Sequence, residues 1–182
     1  MESADNLVLF AHGMESAPWG SKITALAAVA QRKGFRADSP DFRHTQDFDK
    51  RVRHLLQLKP SCAGKLVLAG SSMGGYVAAH ACAALKPAAL FLMAPALYFE
   101  GYDAEPRDCP ALTTVVHGWH DDIVPVERAL RFAQPRAADL HLLDSGHTLN
   151  DRIPVLERIF EAFLDRVLDA GRFSAEPVRT RG

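Results

Sequence analysis

One serine stands in a setting where its hydroxyl could act as a nucleophile. Ser72 is the centre of Gly70-Ser71-Ser72-Met73-Gly74, a G-x-S-x-G pattern. The apolar run before it predicts a buried strand, and the Ala-dense residues 76–85 after it predict a helix. A strand that turns directly into a helix strains its apex residue, so the flanking positions favour glycine. The pattern therefore predicts a nucleophile elbow, although a phosphate-binding turn would use the same glycines.

A serine nucleophile needs a base, and the base needs a carboxylate to orient it. Two later loops offer these groups, and each follows a predicted strand. The first loop, 117–125, contains Asp121 and Asp122, and the second contains Asp144 and His147. The chain order of serine, aspartate and histidine is the one that this triad takes on open α/β sheets. From the residues alone, Asp121, Asp122 and Asp144 all remain candidates for the acid.

Strands and helices alternate along the chain. This alternation predicts a three-layer α/β/α fold with a doubly wound, mostly parallel sheet of about six strands. Strands are predicted over 7–11, 35–40, 65–69, 88–94, 113–117 and 139–143, and helices over 21–33 (from 16 at the earliest), 45–59, 76–85, 126–133 and about 156–167. Ligands bind such sheets at the carboxyl ends of the strands. We expect one domain over residues 1–170 and a polar C-terminal tail over 171–182 that frays.

Four motifs together make the chain resemble the α/β-hydrolase superfamily, and within it the small bacterial serine esterases that lack a lid. They are His12-Gly13-Met14, the pattern from Gly70 to Gly74, the stretch from His117 to Pro125, and Gly146-His147. The resemblance covers residues 7–168. It implies a minimal form of the fold with strand order 2-1-3-4-5-6. Only residues 98–112 are available for a cap domain, which is too few for a helical cap.

The resemblance also implies a role for each site residue. Ser72 is the expected nucleophile and His147 the expected base. Asp121 is the expected acid, because it stands four residues before Pro125 as in the family. The expected oxyanion-hole donors are the backbone N–H groups of Met14 and Met73.

Several further residues are candidates for the substrate pocket. Trp19, Tyr98 and Trp119 are expected to contribute apolar surface, and Glu15 and His120 to lie in its wall; Met14, Met73, Leu97 and Phe99 are further apolar candidates. His12 is expected to shape the oxyanion loop by hydrogen bonding. Each of these side chains is equally compatible with a place in the core or on the surface.

Composition excludes several other classes. The chain has 182 residues, 48% hydrophobic and 24% charged, with a formal net charge of −1, which is typical of a globular protein without a nucleic-acid or anionic-membrane partner. The acidic first residues and the apolar runs, none of them near 20 residues, indicate neither a secretory signal nor a membrane span. Three widely spaced cysteines are typical of reduced thiols in the cytoplasm. We expect no cofactor and no metal site, and composition leaves the oligomeric state open.

The sequence therefore predicts a serine hydrolase that cleaves short-chain carboxylic esters or thioesters through an acyl-enzyme. The missing cap predicts an open site with a shallow apolar wall, and hence a preference for acetyl to hexanoyl groups. The alternatives are a peptidase or acyltransferase with the same triad, and a non-catalytic binding protein that keeps the fold.

Overall fold

A computed structural model describes residues 5–170 of the chain. Strands and helices alternate over this range, as the sequence predicts. The elements are β1 (Asn6–Ala11), α1 (Ser21–Arg32), β2 (Phe35–Asp38), α2 (Phe48–Gln57), β3 (Leu66–Ser71), α3 (Met73–Leu85), β4 (Ala89–Met93), β5 (Thr113–Gly118), α4 (Val126–Ala133), β6 (Asp139–Leu143) and α5 (Ile153–Asp169), with short 3-10 helices at Gln134–Arg136 and Asn150–Arg152.

The six strands form one sheet in the order β2-β1-β3-β4-β5-β6, and every neighbouring pair is parallel. The predicted order is thus confirmed. The order reverses next to β1, where the chain moves outward to β2 and then returns to β3 on the other side. β1 and β3 therefore end side by side at the switch point, where ligands bind in such sheets. The short strand before Pro40 is an edge strand, as expected.

The helices cover both faces of the sheet, and each face has its own hydrophobic core. Alternate residues of β3 supply the two cores, because side chains of a strand point to opposite faces in turn. Val67 and Ala69 pack in the core with Phe160 of α5, whereas Leu68 packs in the core with Val77 of α3. α1 and α5 contact each other on one face, and α2 and α3 on the other. The three-layer prediction is confirmed.

Helix ends differ from the sequence prediction where a cap decides them. The α2 pattern extends over residues 45–59, but the helix begins only at Phe48. The side chain of Asp47 accepts a hydrogen bond from the N–H of Lys50 at 2.8 Å, so it satisfies one of the free donors of the first turn. The residue before the helix therefore has extended backbone, and the helix starts later than periodicity indicates.

No cap domain covers the sheet within residues 5–170. The long connection between β4 and β5 instead packs against α4. Glu105 accepts hydrogen bonds from Tyr98 Oη at 2.9 Å and from Arg136 at 2.7 Å. The guanidinium of Arg131 lies 3.8 Å from the centre of the Tyr98 ring. These contacts fasten the connection to the body of the protein.

Three further expectations concern the C-terminal tail, membrane spans and the cysteines. The polar tail over 171–182 lies outside the described residues. Among residues 5–170, the helices are too short or too polar to span a bilayer. The three cysteines carry free thiols.

Candidate active site

The turn between β3 and α3 is the predicted elbow. Ser72 alone separates the two elements and has φ 54° and ψ −120°, a conformation that side chains rarely adopt. A Cβ on Gly74 would lie 1.9 Å from the carbonyl oxygen of Ala11, and a Cβ on Gly70 would lie 2.2 Å from the carbonyl oxygen of Gly74. Both glycines are therefore required by the close approach of α3 to β1 and β3.

Ser72 begins a chain of hydrogen bonds that joins three loops. Ser72 Oγ is 2.8 Å from His147 Nε2, and His147 Nδ1 is 2.8 Å from Asp121 Oδ2. An ionised carboxylate only accepts hydrogen bonds, so Nδ1 carries the proton and Nε2 is free to accept from the serine hydroxyl. The structure thus brings the three predicted residues together in the arrangement that nucleophilic catalysis needs.

Backbone contacts fix the orientation of Asp121. Its side chain is 0% exposed, and Oδ1 accepts from the backbone N–H groups of Ile123 at 3.0 Å and Val124 at 2.8 Å. Asp122 is exposed and does not cap α4, whose first residue follows Pro125 without a side-chain cap. The N–H groups of Ile123 and Val124 in this turn are bound by Asp121 instead.

Asp144, the third candidate for the acid, pairs with His120 at the surface. Asp144 Oδ1 is 2.9 Å from Nε2 of His120, and both side chains are more than two thirds exposed. Neither residue contacts His147 through a hydrogen bond. Asp144 is therefore excluded by position as the partner of His147.

A second histidine, His117, lies next to Asp121. His117 is fully buried, and its Nε2 lies 2.8 Å from the carbonyl oxygen of Val124 and 3.2 Å from Asp121 Oδ2. Nε2 therefore carries the proton and donates it to the Val124 carbonyl oxygen, whereas the Asp121 carboxylate is a close neighbour without a hydrogen bond to this ring. His117 Nδ1 is buried without a partner, and burial lowers the pKa of this imidazole. His117 is thus a neutral, buried residue that fixes the turn after Asp121 through the Val124 carbonyl.

The loop after β1 lies directly beside Ser72. A Cβ on Gly13 would lie 3.5 Å from the Cβ of Ser72, and Met14 and Met73 border the same cavity as Ser72 and His147. Within residues 5–170, the amide N–H groups of Met14 and Met73 donate to no backbone or side-chain acceptor. Their placement is compatible with an oxyanion hole, which stays a prediction.

His12 shapes this loop from the protein interior. Its Nε2 accepts from the N–H of Phe42 at 2.9 Å, so Nδ1 carries the proton and donates to the carbonyl oxygen of Gly13 at 2.8 Å. The ring is fully buried, and burial lowers its pKa. His12 is therefore a neutral structural residue, as the hydrogen-bonding expectation states, and it does not line the cavity.

A buried arginine, which the sequence did not predict as part of the site, lies behind the same loop. Arg51 of α2 is 0% exposed and donates to the carbonyl oxygens of His12 at 3.3 Å, Gly13 at 3.2 Å and Met14 at 3.4 Å. These three hydrogen bonds fix the backbone of the loop that carries Met14, a predicted oxyanion-hole residue. In the sequence, Arg51 is one charged residue on an amphipathic helix, so no local pattern marks it.

A cavity of about 630 Å³ opens beside Ser72 and His147. Of the candidates for the substrate pocket, Met14, Glu15, Met73 and Phe99 line the cavity. The candidates that do not line it are Trp19, Leu97, Tyr98, Trp119, His120 and His12. Trp19 and Trp119 are 50% and 54% exposed, because their loops turn these side chains outward. Tyr98 is buried under Arg131 and Glu105.

Three aromatic residues and a lysine form much of the remaining cavity wall. Phe48, Phe99 and Tyr102 supply its aromatic side, with the rings of Phe48 and Tyr102 stacked 4.5 Å apart. Lys22, at the start of α1, lines the cavity from the opposite chain segment. The β4–β5 connection and α2 bound this side of the cavity, and the expected shallow apolar wall stays a prediction. Phe48 and Lys22 carry no sequence signal beyond lying on helices next to the switch point.

The fold and the position of the site define an α/β protein with the hydrolase fold. The sequence profile described as the alpha/beta hydrolase family matches residues 8–180, and the chain belongs to that family. A search of curated proteins found no match.

Solved structures agree with this assignment. A putative hydrolase of the alpha/beta superfamily from Xanthomonas campestris pv. campestris is 36% identical, with 88% of this chain and 99% of that chain covered and a TM-score of 0.80. Two more distant structures share the fold. Est1E of Butyrivibrio proteoclasticus is 16% identical, with 92% and 90% covered and a TM-score of 0.77. A serine hydrolase without a lid from Xanthomonas campestris is 21% identical, with 91% and 84% covered and a TM-score of 0.62.

Proposed function

We propose that this hydrolase cleaves short-chain carboxylic esters or thioesters, with Ser72 as nucleophile, His147 as base and Asp121 as acid. One observation carries the proposal. The hydroxyl of Ser72 lies 2.8 Å from the unprotonated nitrogen of His147, at the mouth of a cavity large enough for a small ester. Serine hydroxyls in binding turns do not need such a base, so the pairing favours catalysis over phosphate binding and over a non-catalytic role.

Acylation begins when Ser72 Oγ attacks the carbonyl carbon of the ester. The hydroxyl proton moves to His147 Nε2 as the new C–O bond forms, and Asp121 stabilises the resulting imidazolium. The substrate carbonyl oxygen becomes an oxyanion, which the N–H groups of Met14 and Met73 stabilise. Collapse of this intermediate breaks the bond to the leaving group, and His147 gives its proton to the departing oxygen or sulfur.

Deacylation repeats the steps with water. Water attacks the acyl carbon and transfers a proton to His147, and the second intermediate collapses by breaking the bond to Ser72 Oγ. The imidazolium returns its proton to the serine, and the carboxylic acid leaves. Each proton that His147 accepts is therefore released within the same half-reaction, and no metal or cofactor takes part.

The shape of the cavity bears on the substrate. Its volume of about 630 Å³ is within the range of small-molecule sites and must hold both the acyl group and the leaving group. A preference for acetyl to hexanoyl esters is expected, because no cap covers the site within residues 5–170 and longer acyl chains would leave methylene groups in water. Residues 98–112 leave little room for a peptide-binding domain, so a peptidase is the weaker candidate.

Fluorophosphonate labelling tests the nucleophile. The wild-type protein is expected to react at Ser72 and to hydrolyse p-nitrophenyl acetate, and Ser72→Ala is expected to lose both properties. Ser71→Ala is the matched control, because Ser71 is the preceding residue of the same strand and borders the same cavity. Mass-spectrometric mapping identifies the modified residue.

Two results would contradict the proposal. Labelling that persists in Ser72→Ala would remove Ser72 as the nucleophile. A wild-type protein that folds, as judged by circular dichroism, yet neither labels nor hydrolyses esters or thioesters would favour the binding-protein alternative.

A further inference from the structure

Lys22 lines the cavity that holds Ser72 and His147. The side chain is partly buried, and Nζ donates a hydrogen bond to the carbonyl oxygen of Thr148, the residue after His147. Within residues 5–170, no carboxylate forms an ion pair with Lys22. An ammonium has three N–H donors, so the cavity side of Lys22 retains donors for a ligand.

Two other lysines have a carboxylate nearby, whereas Lys65 donates to the carbonyl oxygens of Val167 and Leu168 and lies outside the cavity wall. Lys33 forms an ion pair with Asp165 at 2.8 Å, and Lys50 lies 3.9 Å from Asp47. A partly buried ammonium without a carboxylate has lost water and gained only one neutral acceptor, which is unfavourable for the cation. Burial accordingly lowers the pKa of Lys22 to about 8, although the Asp121 carboxylate acts in the opposite direction. A bound anion would supply the missing partner.

The remaining charges around the cavity do not cancel Lys22. Glu15 and Glu100 also border it, but both are exposed, and water screens their charge more than that of a partly buried group. Gly20 precedes α1 without a side-chain cap, and the first turn of the helix contains no acidic residue. The positive end of the helix dipole therefore has the same sign as Lys22.

The position of Lys22 indicates which part of the substrate it meets. His147 delivers a proton to the leaving-group oxygen, so the leaving group must lie on the His147 side of Ser72. Lys22 is hydrogen-bonded to the residue that follows His147. The aromatic wall with Phe48 and Tyr102 then remains for the acyl group.

We infer that Lys22 binds a carboxylate on the leaving group, so that the preferred substrates are esters of an alcohol or phenol that carries a negative charge. This inference rests on the proposed function. It makes Lys22 a specificity-determining residue that contacts the substrate without taking part in bond cleavage.

Two esters that differ by one charge test the inference. Phenyl acetate and 3-carboxyphenyl acetate are compared for wild type, Lys22→Gln and Lys22→Arg at pH 7. The glutamine keeps an N–H donor for the Thr148 carbonyl but has no charge, and the arginine keeps the charge. The ratio of kcat/KM for the charged ester to that for the neutral ester should fall about tenfold or more in Lys22→Gln. Phenyl acetate hydrolysis should change by less than about threefold, and Lys22→Arg should retain most of the ratio.

The pH dependence of the same ratio gives a second readout. Lys22 is cationic below its pKa, so the wild-type preference for the charged ester should decline as pH rises through about 8. In Lys22→Arg the preference should persist, because arginine stays charged. The other titratable groups near the cavity, Asp121, His147, Glu15 and Glu100, act on both esters, and forming the ratio removes effects that the esters share.

Direct binding separates this inference from the proposed function. Isothermal titration calorimetry compares 3-hydroxybenzoate with 3-hydroxybenzamide on wild type and Lys22→Gln, with no turnover required. Tighter binding of the benzoate that disappears in Lys22→Gln supports the anion site, even if neither ester is hydrolysed. The inference would be overturned if wild type and Lys22→Gln had the same ratio of kcat/KM for the two esters and the same ratio of affinities for the benzoate and the benzamide. Normal hydrolysis of phenyl acetate in that case would leave the proposed function intact.

Discussion

At the scale of single residues, two adjacent aspartates have different surroundings. Asp121 is enclosed and accepts hydrogen bonds from His147 and from two backbone N–H groups, with the buried ring of His117 close by. Asp122 points to solvent. One position along the chain therefore separates a residue built into the site from a surface charge.

Substituting each aspartate by asparagine measures this difference. Asp121→Asn should lower kcat on p-nitrophenyl acetate by about 10⁴-fold, because the amide no longer fixes the tautomer of His147 or stabilises its imidazolium. Asp122→Asn should remain within about twofold of wild type. Steady-state kinetics on both variants provide the comparison, and the reverse ranking would assign the acid to the wrong neighbour.

At the scale of elements, the site depends on how closely α3 approaches β1. Gly74 lies in the first turn of α3, directly against the end of β1. The neighbouring atoms are backbone carbonyls that cannot move aside by a rotamer change. The geometry of the elbow and the packing of α3 therefore depend on the same close contact at Gly74.

Gly74→Ala should therefore destabilise the protein by about 3 kcal/mol or more, through overpacking against the Ala11 carbonyl. Gly20→Ala is the matched control, because its Cβ would lie an ordinary 3.6 Å from the Ala17 carbonyl oxygen. Its expected cost is at most about 1 kcal/mol, from the loss of a preferred N-cap residue. Urea denaturation measures both, and equal free energies of unfolding would show that α3 can shift.

At the scale of the whole molecule, no cap domain covers the site within residues 5–170. The connection between β4 and β5 is instead held against the body of the protein. Glu105 joins the β4–β5 connection to Arg136, and Arg131 covers Tyr98. The connection closes one side of the cavity through Phe99 and Tyr102. Access to Ser72 therefore requires no cap to open.

Hydrolysis should accordingly show no interfacial activation. Lipases with a mobile cap gain activity when a lipid surface opens it, and this chain has no such element within residues 5–170. A series of p-nitrophenyl esters from acetate to palmitate, assayed below and above the solubility limit of each, should give the highest kcat/KM at hexanoate or shorter. A rise in rate above the solubility limit, or an optimum at laurate or beyond, would reveal a moving cover or a deep acyl tunnel.

Much of this architecture is determined by the sequence. The alternation of apolar strands with amphipathic helices fixes a parallel sheet, because crossovers between parallel strands must pass over its faces. The residues that follow strands are then brought to one edge of the sheet, so Ser72, Asp121 and His147 are predictable from motif and order. Gly70 and Gly74 are likewise readable, because only a tight strand-to-helix turn needs both.

Only the tertiary structure decided which side chains face the cavity. The sequence also favoured Trp19, Tyr98 and Trp119, which lie outside the cavity, and gave no sign of Phe48 and Lys22, which line it. Side-chain direction in a loop depends on backbone angles that distant contacts set, such as those between Tyr98 and Glu105. Arg51 is the clearest case, because its role arises from three carbonyls about 37 to 39 positions away along the chain. Spacing along the sequence carries no record of such contacts, since folding alone brings these groups within hydrogen-bond distance.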